Sequence, residues 1–305
     1  MLEVADILNR LAIAVQLAVV MCLVGYFALL TRLVDLREVR QWRSAWLADL
    51  GALAAVFIHA FAGMPELGPR FSLVAYLAGK TLFALFIVAG ARRHLQPGAQ
   101  PLVGPGRVAA FVAAWSLTLA LGVPELWQAQ LAESALLALL FLAGGSTVLR
   151  NPGSRISRWL GWAMVVEGLY FAWMAALILP GLWGNAAGFS VLAATGFGEA
   201  WAELVLGLAC IAVVTDQREE QLHYANRELL DSKERLGRLV DTDPLTELAN
   251  RRSLRRALDA VRTSGGALVF IDINRLRDIN ALFGQPIGDH SLQHLARLIS
   301  RHFRT

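Results

Sequence analysis

The chain has 305 residues, of which 56% are hydrophobic and 17% charged, with a formal net charge of +4. That composition is too apolar for an ordinary soluble enzyme, and the length suggests about two domains on a prior of roughly 150 residues each. The basic excess does not indicate nucleic-acid binding, because the arginines lie mainly between apolar blocks, where a membrane-topology signal explains them better.

Seven apolar blocks approach the length of about 20 residues that a bilayer crossing requires. They cover about 11–30, 45–63, 71–90, 108–123, 131–149, 158–179 and 189–214, the fourth being the shortest. Arg32, Arg37, Arg40 and Arg43 follow the first block, Arg92, Arg93 and Arg107 the third, and Arg150, Arg155 and Arg158 the fifth. The alternate connections GMPELGPR, GVPELWQAQ and PGLWGNAAG carry only Arg70. Basic connections on one side place the N-terminus outside and the C-terminal segment in the cytoplasm. Glu3 and Asp6 stand where a signal peptide would carry basic residues, so no cleavable leader is expected. Cys22 and Cys210 fall inside apolar blocks, where free thiols behave as small hydrophobes, and they form no disulfide framework.

Ionisable residues inside such blocks are costly and suggest function. Lys80 lies midway along the third block, Glu167 midway along the sixth, and Glu199 and Glu203 midway along the seventh, at about the same depth if all seven cross. Glu199 and Glu203 are four apart and share a helix face. Two readings stay open: a structural Lys–Glu pair with the surplus carboxylates protonated, or a ligand or ion site. His59 and Glu133 lie nearer span ends and read as packing or interfacial groups. Trp162, Trp173, Trp183 and Trp201 read as including interface anchors.

The last block runs into a polar helical stretch, residues 216–241, in which Leu222, Leu229 and Leu236 recur every seven residues. Ala225, Ser232 and Leu239 occupy the other seam position, so a short coiled-coil stalk joining two copies is expected, against a plain solvated helix. The organisation is then a seven-helix sensor-like membrane domain over 1–215, the stalk over 216–241, and a cytoplasmic segment over 242–305.

In that segment Asp243 and Pro244 read as a helix cap and first helical residue, with Ser253 capping a second helix. The run ALVFIDI, residues 267–273, reads as a fully buried strand. A short helix is expected over about 275–283, a turn at GQPIG, and a last helix capped by Asp289. His290 and His294, four apart, read as a solvated pair rather than metal ligands. The chemistry-bearing point is Asp272, at the C-terminal end of the strand, where α/β folds place their sites and where a carboxylate can hold Mg²⁺.

Two stretches carry a family resemblance. DPLTELANRR presents Asp243, Leu245, Thr246, Leu248, Asn250, Arg251 and Arg252, and FIDINRLRDINALFGQPIGD presents Asp272, Arg277, Ile279, Asn280, Gly284, Gly288 and Asp289. At their spacing they resemble the opening motifs of a GGDEF domain, the catalytic module of diguanylate cyclases, over residues 243–305. The resemblance implies a partial α/β, palm-like (βαββ) domain behind the stalk, and a bacterial inner-membrane protein of the type that joins two GTP into cyclic di-GMP. It further implies Mg²⁺ as cofactor, GTP as ligand and a homodimer through residues 216–241. By position, Asp272 matches a metal ligand, Asn280 and Asp289 match the guanine-binding residues, and Arg275, Leu276 and Arg277 match the segment touching the phosphates.

The departures bear on activity. Glu247 replaces the family Gly, Asn274 the second Asp, Leu276 the Phe, Ala281 the Asp and Gln285 the His. The family's GG[DE]EF hairpin does not occur within the 305 residues. No complete catalytic set is therefore expected, and these residues alone should be inactive. The alternative is a non-enzymatic membrane receptor or scaffold with a degenerate GGDEF stub. A transporter built on Lys80, Glu167, Glu199 and Glu203 is disfavoured by the odd span count without a visible repeat.

Overall fold

The structure is a computed structural model that describes residues 2–33, 36–62, 69–96, 98, 103–180, 189–262 and 265–303. Among them are α1 (Leu2–Leu33), α2 (Arg37–Ala62), α3 (Pro69–Leu95), α4 (Pro105–Gly122), α5 (Leu126–Arg150), α6 (Arg155–Ile178) and α7 (Phe189–Asp241). Three shorter helices follow: α8 (Arg251–Val261), α9 (Leu276–Phe283) and α10 (Gln285–His302). Each of α1–α7 contains a stretch long and apolar enough to cross a membrane. Each expected block falls in one of them to within a residue. Continuous helices are the economical solution for such sequences, since all backbone groups are satisfied within the segment. Backbone contacts divide the chain into two units, Met1–Arg218 and Glu219–Thr305.

In the first unit, α2 packs along α3, α5 along α6, and α1 along α2. A chain of rings crosses the core. Phe27 stacks on Trp46 at 6.3 Å, Trp46 meets Phe83 at 5.0 Å, Phe83 meets Phe141 at 5.9 Å, and Phe141 stacks on Phe171 at 6.1 Å. These rings come from α1, α2, α3, α5 and α6, so one aromatic seam ties five helices together. Small residues set the closest approaches. A Cβ on Gly145 would lie 2.9 Å from the Gly161 carbonyl oxygen, and one on Gly79 would lie 2.7 Å from the Ala48 carbonyl oxygen. Trp162, Trp173 and Trp201 lie on the exposed surface of the bundle, as interface anchors would, and Trp183 is outside the described residues.

Where α7 passes the arginine-bearing ends, polar groups fasten it. Gln217 lies 2.8 Å from His94 Nδ1, the Ser154 hydroxyl donates to Asp216 at 3.0 Å, and Arg218 donates to the Leu33 carbonyl at 2.5 Å. Ser154 also caps α6 by accepting the Ser157 N–H at 3.1 Å.

The second unit departs from several expectations. No helix starts at Pro244. Instead Asp243 Oδ1 accepts the N–H groups of Leu245 (3.1 Å) and Thr246 (2.9 Å), and a Thr242–Ala249 bridge closes the turn. The cap of α8 is Asn250, whose Oδ1 accepts from Arg252 and Ser253, while Ser253 donates its hydroxyl to the Asp241 carbonyl. GQPIG opens α10, with Gly284 as its cap, so Asp289 lies inside the helix rather than at its start. Pro286 suits the first turn, where its missing N–H would be unpaired anyway. The run 267–273 forms no strand and its residues 267–272 are exposed, with Phe270 at 87%. A strand needs a neighbour to take its backbone groups, and none of the described residues pairs with this run. The palm-like sheet is therefore not seen among the described residues.

Candidate functional site

Two regions hold chemistry-bearing residues, one in each unit. In the helical unit, Lys80 is fully buried on α3 and its ammonium meets three carboxylates: Asp49 at 2.7 Å, Glu199 at 2.7 Å and Glu203 at 2.6 Å. Gln16 donates its amide to Glu203 at 2.9 Å. Four helices thus converge on one charge: α1 through Gln16, α2 through Asp49, α3 through Lys80, and α7 through the glutamates one turn apart. The sequence placed Lys80, Glu199 and Glu203 together, and they are. Glu167 does not touch Lys80. It is fully buried on α6, and neither of its oxygens has a hydrogen-bond partner.

Asp49 and Gln16 were missed. Asp49 is six residues from Arg43, near the start of its apolar block, and reads as a flanking charge. Gln16 is neutral and gives no electrostatic signal. Glu133 is more than an interfacial group: it is buried, accepting from Thr81 at 2.8 Å and from the Trp115 indole at 2.6 Å.

A cavity of about 670 Å³ opens beside this cluster. Six helices each contribute to its wall, among them Gln16 (α1), His59 (α2), Tyr76 (α3), Glu133 (α5), Tyr170 (α6) and Glu199 (α7). His59 falls near the end of α2 and Tyr170 in the later part of α6, whereas Tyr76, Glu133 and Glu199 fall in the earlier part of their helices. All of them line the one cavity, so these positions share one end of the bundle. It is the end away from Arg92, Arg93, Arg150, Arg155 and Arg158.

In the second unit, the family motifs prove to be built into local structure. Asp243 also accepts the Thr246 hydroxyl at 2.9 Å, and these bonds hold its carboxyl below the usual aspartate range. Glu247, at the family glycine position, has φ 58°, the left-handed region that favours glycine. Arg275 caps α9 with φ 60°, and Leu276 and Arg277 open that helix.

Asn280 lies against Gly288, where any Cβ would collide with its amide oxygen. That oxygen is buried with no hydrogen-bond partner. Gly288 therefore sets Asn280 beside the start of α10, next to Asp289 in the chain. An unpaired buried acceptor is what a ligand N–H, such as that of a guanine edge, would satisfy. Asp272 is exposed, and no group of three or more His, Cys, Asp or Glu side chains gathers around a metal position among the described residues. His290 and His294 are both exposed.

Residues 240–305 match the family described as "Diguanylate cyclase, GGDEF domain". A Streptomyces griseus protein described as "Uncharacterized protein in hutH 5'region" is 29% identical over 116 residues, covering 34% of this chain and 48% of that protein. The chain thus spans about half the length of the curated relative it matches. No solved structure matches. Residues 240–305, which include Asp272, Asn280 and Asp289, are thus similar to a GGDEF domain, and the described residues before them are dominated by helices long and apolar enough to span a membrane.

Proposed function

We propose that this is a bacterial inner-membrane signalling protein of the diguanylate cyclase type, in which the helical bundle senses and the GGDEF segment binds GTP. The observation that carries this is the match over residues 240–305, with Asn280 presenting an unpaired buried acceptor where the family binds guanine. Asn280 and Asp289 together complement the donor edge of guanine, and such a site rejects adenine because its buried polar groups would be left unpaired. Arg275 and Arg277 bring positive charge to the segment that meets the phosphates. Mg²⁺, when bound with the nucleotide, would neutralise charge at the phosphates, and Asp272 would hold it.

In the full reaction the 3′-hydroxyl of one GTP attacks the α-phosphorus of the other. An O–P bond forms, pyrophosphate leaves, the hydroxyl proton passes to solvent, and a second such step closes the ring. Each domain holds one GTP, so two copies must face one another. Leu222 and Leu229, seven apart on α7 and both exposed, suit a stalk that pairs them; one copy per particle in light scattering would remove that pairing. Residues 1–305 offer Asp272 as the one carboxylate assigned to the metal and no strand pairing at the site among the described residues, so by themselves they are expected to bind GTP without turning it over.

The test is equilibrium binding of a fluorescent GTP to the purified 305-residue chain with Mg²⁺. Binding should weaken about tenfold or more in Asn280→Ala, and ATP should not compete. Equal competition by ATP, or an unchanged Asn280→Ala, would sink the reading. A non-enzymatic receptor or scaffold is the second reading, favoured by the lone Asp272 and by Asn274, Ala281 and Gln285 at family positions. Under it, GTP would not bind.

A further inference from the structure

The bundle cavity carries an assignment of its own, independent of what the GGDEF segment does. Its volume of about 670 Å³ is far more than an inorganic ion takes and lies in the range of small-molecule sites. Its wall combines carboxylates with aromatic faces. Glu199 and Glu133 line it, as do Tyr76, Tyr170 and Phe171.

The charge balance behind that wall is one-sided. Asp49, Glu199 and Glu203 surround the one ammonium of Lys80, and Glu133 and Glu167 add two more buried carboxylates. Glu203 sits one turn beyond Glu199 on the same face of α7, and Glu167 one turn before Tyr170 and Phe171 on the same face of α6. Both are fully buried, and Glu203 Oε2 and both Glu167 oxygens lack hydrogen-bond partners. Carboxylates buried in such excess must be met by protons or by an entering cation. Gln16, itself a wall residue, donates to Glu203, so the cluster is continuous with the cavity surface.

We propose that the cavity binds an organic ammonium ion, its charged nitrogen seated on Glu199 and its body against Tyr76, Tyr170 and Phe171. A primary ammonium has three donors, enough to share Glu199 with Lys80 and still engage a second acceptor such as Glu133. The ring faces favour a cation above them, and they supply the apolar contact that an inorganic cation could not use. Glu199 is the group through which the ligand would be felt, because it is bonded to Lys80 and stands on α7.

The experiment is calorimetric titration of the purified 305-residue chain in nanodiscs of phosphatidylglycerol, a lipid without an amine. Ethylammonium, butylammonium and phenethylammonium are the probes, with 2-phenylethanol as the neutral counterpart and sodium as the inorganic one. Phenethylammonium should bind saturably and tightest, 2-phenylethanol at least tenfold more weakly, and sodium should not compete at equal concentration. Glu199→Gln should weaken phenethylammonium about tenfold, the scale of one charge-assisted contact, with no such loss in Glu219→Gln on the exposed stretch of α7.

The proposal is overturned if none of the ammonium probes binds, if 2-phenylethanol binds as well as phenethylammonium, or if sodium alone displaces the probe. The comparison of charged and neutral probes uses the unmodified chain, so it stands even if the Glu199 variant does not fold. Repeating the titration in phosphatidylethanolamine discs identifies the source. Competition there assigns the ammonium to a lipid headgroup, and unchanged affinity assigns it to a free amine, either of which supports the class.

Discussion

Lys80 is the residue on which the helical unit turns, because it neutralises groups from two other helices and has no water to retreat to. Removing one partner of a buried ionic cluster leaves the rest uncompensated, which costs about 3–5 kcal/mol, although replacing the whole cluster by apolar groups can be neutral. Lys80→Met should therefore lower the melting temperature of the purified chain sharply, and the triple change to Lys80→Met, Glu203→Met and Asp49→Leu should recover part of the loss. If Lys80→Met melts with the unmodified chain, the cluster does not stabilise the fold. At this scale the sequence was informative where a residue was out of place: Lys80, Glu167, Glu199 and Glu203 stand out because charge is rare within apolar blocks. It was silent where a residue looked ordinary, as Asp49 does beside its arginines and Gln16 does everywhere. Glu247 shows the reverse, a family difference that geometry explains. A left-handed backbone costs a non-glycine residue on the order of 1 kcal/mol, so its turn is built at a small loss that the three bonds to Asp243 Oδ1 help to offset.

At the scale of elements, the bundle helices were legible and those of the second unit only in outline. A membrane helix declares itself through a single long apolar run and needs no partner to satisfy its backbone. The run 267–273 has the composition of a buried strand, but a strand exists only through its neighbours. Pattern alone could not supply them, and Leu268, Val269, Phe270 and Ile271 remain exposed. Caps were misplaced by a few residues for a related reason, since Asp243, Asn250, Ser253 and Asp289 all carry capping side chains and only the backbone path selects among them. The α5–α6 pairing, invisible in the sequence, rests on glycines. A Cβ at Gly145 would meet the Gly161 carbonyl at 2.9 Å and the Val165 nitrogen at 3.1 Å, both backbone atoms that cannot swing away. Gly145→Val should therefore destabilise by about 1–3 kcal/mol, as overpacking does, whereas Gly25→Val, with nothing within 4 Å of its Cβ position, should be tolerated. Thermal melts of the two variants separate a packing effect from a general intolerance of bulk.

For the whole molecule, the arrangement of ends decides to which side of a membrane the bundle cavity would open. The cavity residues gather at one end and Arg92, Arg93, Arg150, Arg155 and Arg158 at the other, where His94, Ser154 and the Leu33 carbonyl hold Gln217, Asp216 and Arg218 of α7. Arginine-rich ends stay in the cytoplasm, which would turn the cavity mouth outward and leave the continuation of α7 inside. A cavity facing the cytoplasm would instead make the bundle a reader of internal metabolites, so orientation separates two kinds of sensor. It can be read with a membrane-impermeant maleimide on intact cells. Cys210 is buried and Cys22 lies within an apolar span, so neither should react with such a reagent. Asn9→Cys, at the cavity mouth, should then label in intact cells, and Arg150→Cys should label only after the membrane is opened. Labelling of Arg150→Cys from outside, with Asn9→Cys protected, would invert the topology and place the ammonium site on the cytoplasmic face.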